Sequence, residues 1–331
     1  MSSKKQNYKV YSAGILLILL VLCFFLYLRT PVVLGNQSLC LVVKPGETFD
    51  VFSKDLSQHS RLNFPIWFRW YAKITGKSRY LKLGEYCFLP GSNPKQILNK
   101  VIHGRVVVHS FTIVDGWTFK QLEAALDKDD RLVHTLDQYS LTQLLKHFEL
   151  SRQNLEGEFY PATYYYTYPD TDLKILDQAH QLLGHRLNQL WVDRDASAPY
   201  KNPYEALVAA SIIQKESSQA DGRRLVSSVI QNRLNKHMRL QMDPTVIYGN
   251  GDGKLLTHES LRNDTVYNTY LHWGLPPTPI CMVSDDAMYA ALHPTHSSYL
   301  YFVANGEGGH VFSKSLDEQK ANINKYLKHQ D

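Results

Sequence analysis

The sequence predicts an α+β protein: a small mixed unit, then a larger helix-rich one, behind a single apolar helix near the N-terminus. Three observations carry that prediction. Tyr11 to Leu28 is an uncharged run dominated by Ile, Leu, Val, Phe and Cys. Strand-like and helix-like segments alternate over residues 39–110. From Phe111 onward apolar residues recur mostly at helical spacing. The chain has 331 residues, 44% of them hydrophobic, which suffices for one large domain or two modest ones.

Residues 11–28 are at the short end of what spans a bilayer. Lys4, Lys5 and Lys9 precede them and only Arg29 follows closely, so the positive-inside rule puts residues 1–10 in the cytoplasm and the rest outside. A cleaved signal peptide is the rival. No A-x-A-like site follows the run, and Leu39 before Cys40 argues against lipoprotein processing, so a retained single-span anchor is expected. Of 36 Lys and Arg, four flank the span, leaving 32 against 31 acidic residues. With no long basic run elsewhere, the footprint of a nucleic-acid binder is missing.

Cys23 lies in the span, and Cys40, Cys87 and Cys281 can form at most one bridge. Cys40 and Cys87 either pair or stay as buried thiols. His293 and His296 are spaced H-x-x-H but bracket Pro294, which breaks the helix a zinc pair would use. No metal site is expected.

After a linker at 29–38, Leu39–Val43 reads as a strand, and the turn Lys44-Pro45-Gly46-Glu47 leads into a helix through Phe52 and Leu56. Further helices are predicted at Pro65–Ile74 and Pro94–Ile102, and strands at Leu83–Leu89 and Arg105–Val114. Beyond 111, helices are predicted from Trp117 or Thr118 through Leu126, at Leu141–Phe148, at Leu173–Trp191 and at Arg223–Met238. In the last, Leu225, Val226, Val229, Ile230, Leu234 and Met238 form the apolar side, and Ser228, Gln231, Asn232 and Asn235 the polar one. Tyr299–Ala304 reads as a strand running into a glycine-rich loop, then Val311-Phe312 and a final helix capped by Ser315 with Glu318.

The most informative stretch begins at Asn202, an N-cap, with Pro203 at the first helical position and Glu205 placed for a capping box. Ala206 to Ile213 is apolar except at Ser211, the mark of a helix buried on nearly every side. Glu216 follows one turn beyond Ile212 and Ile213, at the helix C-terminus. Apolar neighbours and the negative end of the helix dipole both raise a carboxyl pKa there. A carboxylic acid held protonated near neutrality is what general-acid catalysis needs. The plainer reading is a solvated glutamate where the helix leaves the core beside Lys215.

Several segments resemble the YceG-like family of endolytic murein transglycosylases. They are Ala210-Ser211-Ile212-Ile213-Gln214-Lys215-Glu216, Asn232-Arg233-Leu234 and Met238 to Val246 around Asp243-Pro244-Thr245. The similarity continues in Leu155-Glu156-Gly157 with Pro161 and Thr163-Tyr164, in Tyr267-Asn268-Thr269-Tyr270 and in Gly274 to Ile280. It ends with Phe302 to Gly306 and Gly309 to Phe312. It is dense over 111–331 and looser over 39–110, which matches a LysM-like region. Ala162 departs from the pattern, where an acidic residue precedes Thr-Tyr.

The resemblance implies a catalytic domain over 111–331, Glu216 as catalytic residue, and no cofactor. It implies cleavage of the β-1,4 bond between N-acetylmuramic acid and N-acetylglucosamine within peptidoglycan strands, beside cell-wall synthases at the cell inner membrane, with the catalytic domain periplasmic. Two other functions are weighed against it: a muramidase-type hydrolase, and a non-catalytic peptidoglycan-binding scaffold. Gln241, Asp243 and Thr245 are expected either to line a saccharide groove or, at Asp243-Pro244, to start a turn. Glu156 is either a partner of the cleft or the solvated edge of a Glu-Gly turn. Asn305 and His310 are candidate ligand contacts, with turn-forming and structural roles as the alternatives. Tyr164, Tyr165, Tyr166 and Tyr168 fit a core or strand role better than sugar stacking.

Overall fold

A computed structural model describes residues 2–217, 219–251 and 256–326. Met1 of the expected tail, residues 327–331 of the expected catalytic domain, and Ser218 beside the candidate glutamate lie outside them. The chain forms two compact units. One comprises Met1–His109, Arg131–Val133 and Tyr165–Asp170, the other Ser110–Asp130, His134–Tyr164 and Thr171–Asp331.

The first unit opens with α1 (Ser2–Arg29), whose segment Tyr11–Arg29 is long and apolar enough to cross a membrane. Strand β1 (Leu39–Val43) pairs antiparallel with β2 (Gly84–Phe88), Leu41 opposite Tyr86 and Cys40 opposite Cys87. Cys40 and Cys87 form a disulfide, which resolves the cysteine alternatives. Between the strands run α2 (Phe49–His59) and α3 (Pro65–Ile74), and α4 (Pro94–Ile102) follows. Thr48 caps α2, and a capping box of Asn93 and Gln96 starts α4. Phe52, Leu56, Phe68, Tyr86, Ile97 and Leu98 close the core.

Of the expected strand 105–114 only His109–Thr112 forms a strand, β3, and Thr163–Tyr166 forms β4. In β4, Tyr164 and Tyr166 are buried while Tyr165 is exposed, the alternation of a strand.

The second unit is a helical core around one buried helix. Helices α5 (Phe119–Leu126) and α6 (Leu141–His147) both begin with capping boxes, and α7 (Asp172–Val192) is capped by Thr171. Next come α8 (Pro203–Glu216), α9 (Ala220–Asn235), α10 (Asp243–Gly249) and α11 (Asp285–Leu292). The hairpin β5 (Tyr301–Ala304) and β6 (His310–Ser313) and helix α12 (Leu316–Tyr326) complete it. As expected, Ser315 and Glu318 cap each other's backbone N–H groups ahead of α12. Every residue of α8 from Ala206 to Ile213 is buried, with α7, α9, α10 and α11 packed around it.

Two expectations need correction here. Asn202 caps α8 by accepting from the Glu205 N–H, but the Glu205 carboxylate turns back to the Lys201 N–H at 2.8 Å, so the reciprocal bond of a capping box is not made. Helix α9 ends at Asn235, before Met238, and on its polar side Ser228 and Gln231 are buried, Asn232 is half-buried and Asn235 is exposed. Gln231 donates to the Ala291 carbonyl, and Asn232 to those of Ser297 and Tyr299. Amide side chains fit this interface because they satisfy carbonyls that no helix or strand pairs.

Candidate active site

Glu216 is the last residue of α8, and the Ser217 N–H closes the helix on the Ile213 carbonyl. Burial first, and the negative charge of Asp243 second, push its carboxyl up to about 8 from the ordinary 4.5. Among the described residues, no hydrogen-bond donor holds that carboxyl. Glu216 is therefore a half-buried acid with its proton free to give near neutrality, as its place on the apolar helix predicts.

Long-range joints place the end of α8. Ser211, the one polar break in the apolar run, donates to the Val208 carbonyl and accepts from the Ile280 N–H at 3.0 Å. Ile280 to Val283 are fully buried, and Met282 exchanges backbone bonds with Gly116 and Trp117. Two residues before the helix ends, Gln214 donates to Asp115 at 2.9 Å and accepts from the Ser284 hydroxyl at 2.6 Å. The C-terminal end of the helix is thus tied to two separate stretches of chain, 115–117 and 280–284.

Opposite stands the segment entering α10. Gln241 has φ 49°, a left-handed turn held by its N–H bond to the Thr269 carbonyl and by Arg233. Arg233 is buried; it donates to the carbonyls of Leu240 and Leu300 and at 3.4 Å to the Gln241 side chain. Asp243 is exposed and accepts from the Tyr270 hydroxyl at 2.6 Å. Burial first, and that bond next, raise the Tyr270 pKa, so the phenol stays protonated as a donor. Gln241 and Asp243 therefore lie at an accessible surface, with Asp243 felt by Glu216. Asp243-Pro244 opens a helix instead of the turn weighed as the alternative.

Thr245 does not fit a saccharide groove. It is fully buried, bonded to the Met242 carbonyl and to the Thr269 hydroxyl at 2.9 Å, and it pins α10 to the loop 267–270. Glu156 is not a solvated turn edge. It is 5% exposed and accepts from the Phe119 N–H and, at 3.1 Å, from the Tyr248 hydroxyl, which anchors the far end of α10.

Asn305 takes the turn-forming alternative: its side-chain oxygen accepts from the Glu307 and Gly309 N–H groups, with Gly306 and Gly308 both at φ 80°. The His310 ring lies edge-on to Phe302 at 5.1 Å, and burial lowers its pKa. Among the described residues, no hydrogen bond or ion pair joins Asn305 or His310 to Glu216, Gln241 or Asp243.

Thr269, Tyr270 and Gln214 escaped the residue-level reading, although each lies in a segment whose resemblance was noted. A motif marks a stretch of chain without saying what each side chain touches. The large cleft of about 1070 Å³ bordered by Tyr200, Asn202, Tyr204 and Trp273 lies at the other end of α8, about 20 Å from Glu216 along the axis at 1.5 Å per residue. His296 pairs with Asp195 and His293 stacks on Tyr289, so the two do not converge on a shared ligand. Among the described residues the cluster with three metal-ligating groups is Cys40, Glu85 and Cys87, and the disulfide takes both of its sulfurs.

The YceG-like family model matches residues 41–325. An endolytic murein transglycosylase of Bacillus subtilis (strain 168) is 30% identical over 306 residues, 86% of this chain and 84% of that one. One from Streptococcus pneumoniae serotype 2 is 25% identical over 83% of this chain, which spans only 56% of that protein. A solved structure of a YceG-like protein from Listeria monocytogenes superposes with TM-score 0.53 at 29% identity, covering 87% of this chain and 99% of that one.

Proposed function

The chain belongs to the YceG-like family, and on that premise we propose that it is an endolytic peptidoglycan lytic transglycosylase with Glu216 as its catalytic acid and base. The carrying observation is a carboxyl pushed up to about 8 at the end of a buried helix, with no donor tying it down among the described residues. Residues 111–331 form the catalytic domain and 39–110 a LysM-like subdomain.

Ordinary glycosidases use two carboxylates. Here one suffices, because the nucleophile is part of the substrate. Glu216 protonates the glycosidic oxygen as its bond to C1 of the muramic acid breaks. The resulting carboxylate then takes the proton of the C6 hydroxyl, whose oxygen bonds to C1. The proton lost from O6 replaces the one given to the leaving group, no water enters, and a 1,6-anhydro end results. Burial first, and the Asp243 carboxylate second, hold Glu216 protonated beforehand, and that carboxylate favours the positive charge that develops at the anomeric carbon. Gln241 and Asp243 offer amide and carboxylate groups to sugar hydroxyls. No cofactor is needed for a proton relay.

The helix α1 is the membrane anchor, in the cell inner membrane with the N-terminus cytoplasmic and the remainder periplasmic. The disulfide supports that side, since such bonds persist in oxidising compartments. Cell-wall synthases supply the nascent strands and are the expected neighbours.

The test is digestion of purified sacculi by the wild type and by Glu216→Gln. Wild type should release fragments ending in 1,6-anhydromuramic acid; products heavier by one water would identify a muramidase, and binding without release a scaffold. Glu216→Gln should stay folded, bind sacculi, and lose about 10²–10⁴-fold or more in rate, because one residue does both proton transfers. Anhydro products at a near-normal rate from the folded variant would refute the assignment.

A further inference from the structure

We propose that α3 is a membrane-interfacial helix that seats the first unit on the bilayer and takes phosphate groups of anionic lipid headgroups. The inference rests on the reading that α1 spans the membrane. Around the α3 axis the side chains fall into four stripes. Phe68 and Ala72 face the unit's core. Trp67 and Tyr71 face α1: Trp67 lies 6.1 Å from Phe24 and 5.4 Å from Tyr27 between ring centres, and Tyr71 lies 6.4 Å from Phe24.

The next stripe, at i, i+4 and i+8, is Ile66, Trp70 and Ile74, which are 49%, 61% and 74% exposed. Beyond it come Arg69 and Lys73. An apolar stripe between the membrane helix and a basic stripe is the pattern of a helix lying in a bilayer surface. Phe64, at the α3 N-cap, adds another exposed aromatic ring beside Trp67.

Depth agrees with that pattern. Phe24 precedes Arg29, the end of the apolar segment, by five residues, about 7.5 Å at 1.5 Å per residue. Interfacial helices bury their apolar face about 5–10 Å into the headgroup boundary. The contacts with Phe24 and Tyr27 therefore hold α3 at that level, where an exposed Trp is favoured.

Charge agrees as well. From Arg61 to Arg79 there are five basic residues and no acidic one. Arg69, Lys73 and Arg79 border a cleft of about 460 Å³ with Ile66 and Trp70; the Asp50 side chain sits on its rim 3.8 Å from Arg69. The Arg69 Nε is buried without a hydrogen-bond acceptor in the protein. A basic cleft opening beside an apolar stripe suits a phosphate whose acyl chains run alongside.

The full-length chain, in a Cys23→Ala background, carries a polarity-sensitive fluorophore on a cysteine placed at Ile66 or Ile74, at Ile18 within α1, or at Val192, which is 83% exposed. Cys281 is buried and the other two cysteines are bonded, so labelling is confined to the new site. The protein is reconstituted in phosphatidylcholine vesicles, with or without phosphatidylglycerol, whose acyl chains are brominated near the headgroup. Probes at 66 and 74 should emit blue-shifted and lose most of their intensity to bromine, with Val192 unaffected. The loss should deepen with phosphatidylglycerol, and Arg69→Gln with Lys73→Gln should abolish that increment. Quenching at 18 but not at 66 or 74 overturns the proposal and leaves the anchor standing. A blue shift at 74 without bromine quenching means a protein surface, such as a second copy, covers the stripe. No quenching at 18 sinks the anchor and the proposal together. Indifference to phosphatidylglycerol overturns the headgroup assignment.

Discussion

Glu216 shows how one side chain can be shaped by opposing demands. Its folded pKa of about 8 stands above the ordinary 4.5, so ionisation is disfavoured only in the fold. The stability it contributes is full below about pH 4.5 and is lost as pH rises to about 8. Glu216→Gln should match wild type at pH 4 and exceed it above pH 8 by about 1–3 kcal/mol, less than the full shift because solvent reaches the carboxyl. Denaturant melts at the two pH values check this; equal stability at both would mean the carboxyl is not desolvated. Turnover should fall as pH rises through about 8, since the acid is then consumed by ionisation. Glu216 was legible in the sequence because a helix apolar all round dictates its own burial. Thr245 was not, because what buries it is Thr269, 24 residues away, and no local pattern reports a partner at that distance.

At the scale of elements, the second unit is assembled by interlocking loops on α8. Gly157 sits at φ 73°, and a Cβ there would meet the Pro279 Cβ at 2.4 Å. The Leu-Glu-Gly turn and the proline-rich loop thus pack backbone against ring, and the same loop delivers Ile280 to Ser211. Gly157→Ala should cost about 1–3 kcal/mol through strain and overpacking, and it should lower activity by shifting segment 280–284 against Gln214. Thermal melts and turnover measured together check it; a neutral Ala would show that the loop is free to move. Helices α3 and α4 ended where composition placed them, since Pro at the first turn, caps and apolar spacing are local. On α9, polarity alone does not separate Gln231 and Asn232, which meet backbone carbonyls, from Asn235, which is exposed.

For the whole molecule, the disulfide lies in the first unit and Glu216 in the second. Cys40 and Cys87 are 47 residues apart and close β1 onto β2 around α2 and α3. Replacing both by Ala should cost the first unit about 2–4 kcal/mol, by the chain-entropy account of such loops. Amide exchange at Leu41, Val43 and Tyr86 should then speed up roughly 30- to 1,000-fold, as a local loss of that size requires. Unchanged exchange would mean the aromatic core around Phe52 and Phe68 holds the strands without the bond.

The sequence by itself determined the apolar N-terminal helix, the α+β class, most helix positions and the glutamate at the end of the buried helix. All of these follow from periodicity, capping and composition, which act over one or two turns. Tertiary structure alone decided which polar residues stay accessible and which are built into the scaffold. Gln241 and Asp243 stay accessible, Asp243 close enough to raise the Glu216 pKa, while Thr245, Glu156 and Asn305 satisfy backbone and hydroxyl groups of distant or turning segments. The physical reason is common to them: a hydroxyl, amide or carboxylate binds a sugar or a buried N–H equally well, and only the folded chain sets which one it meets.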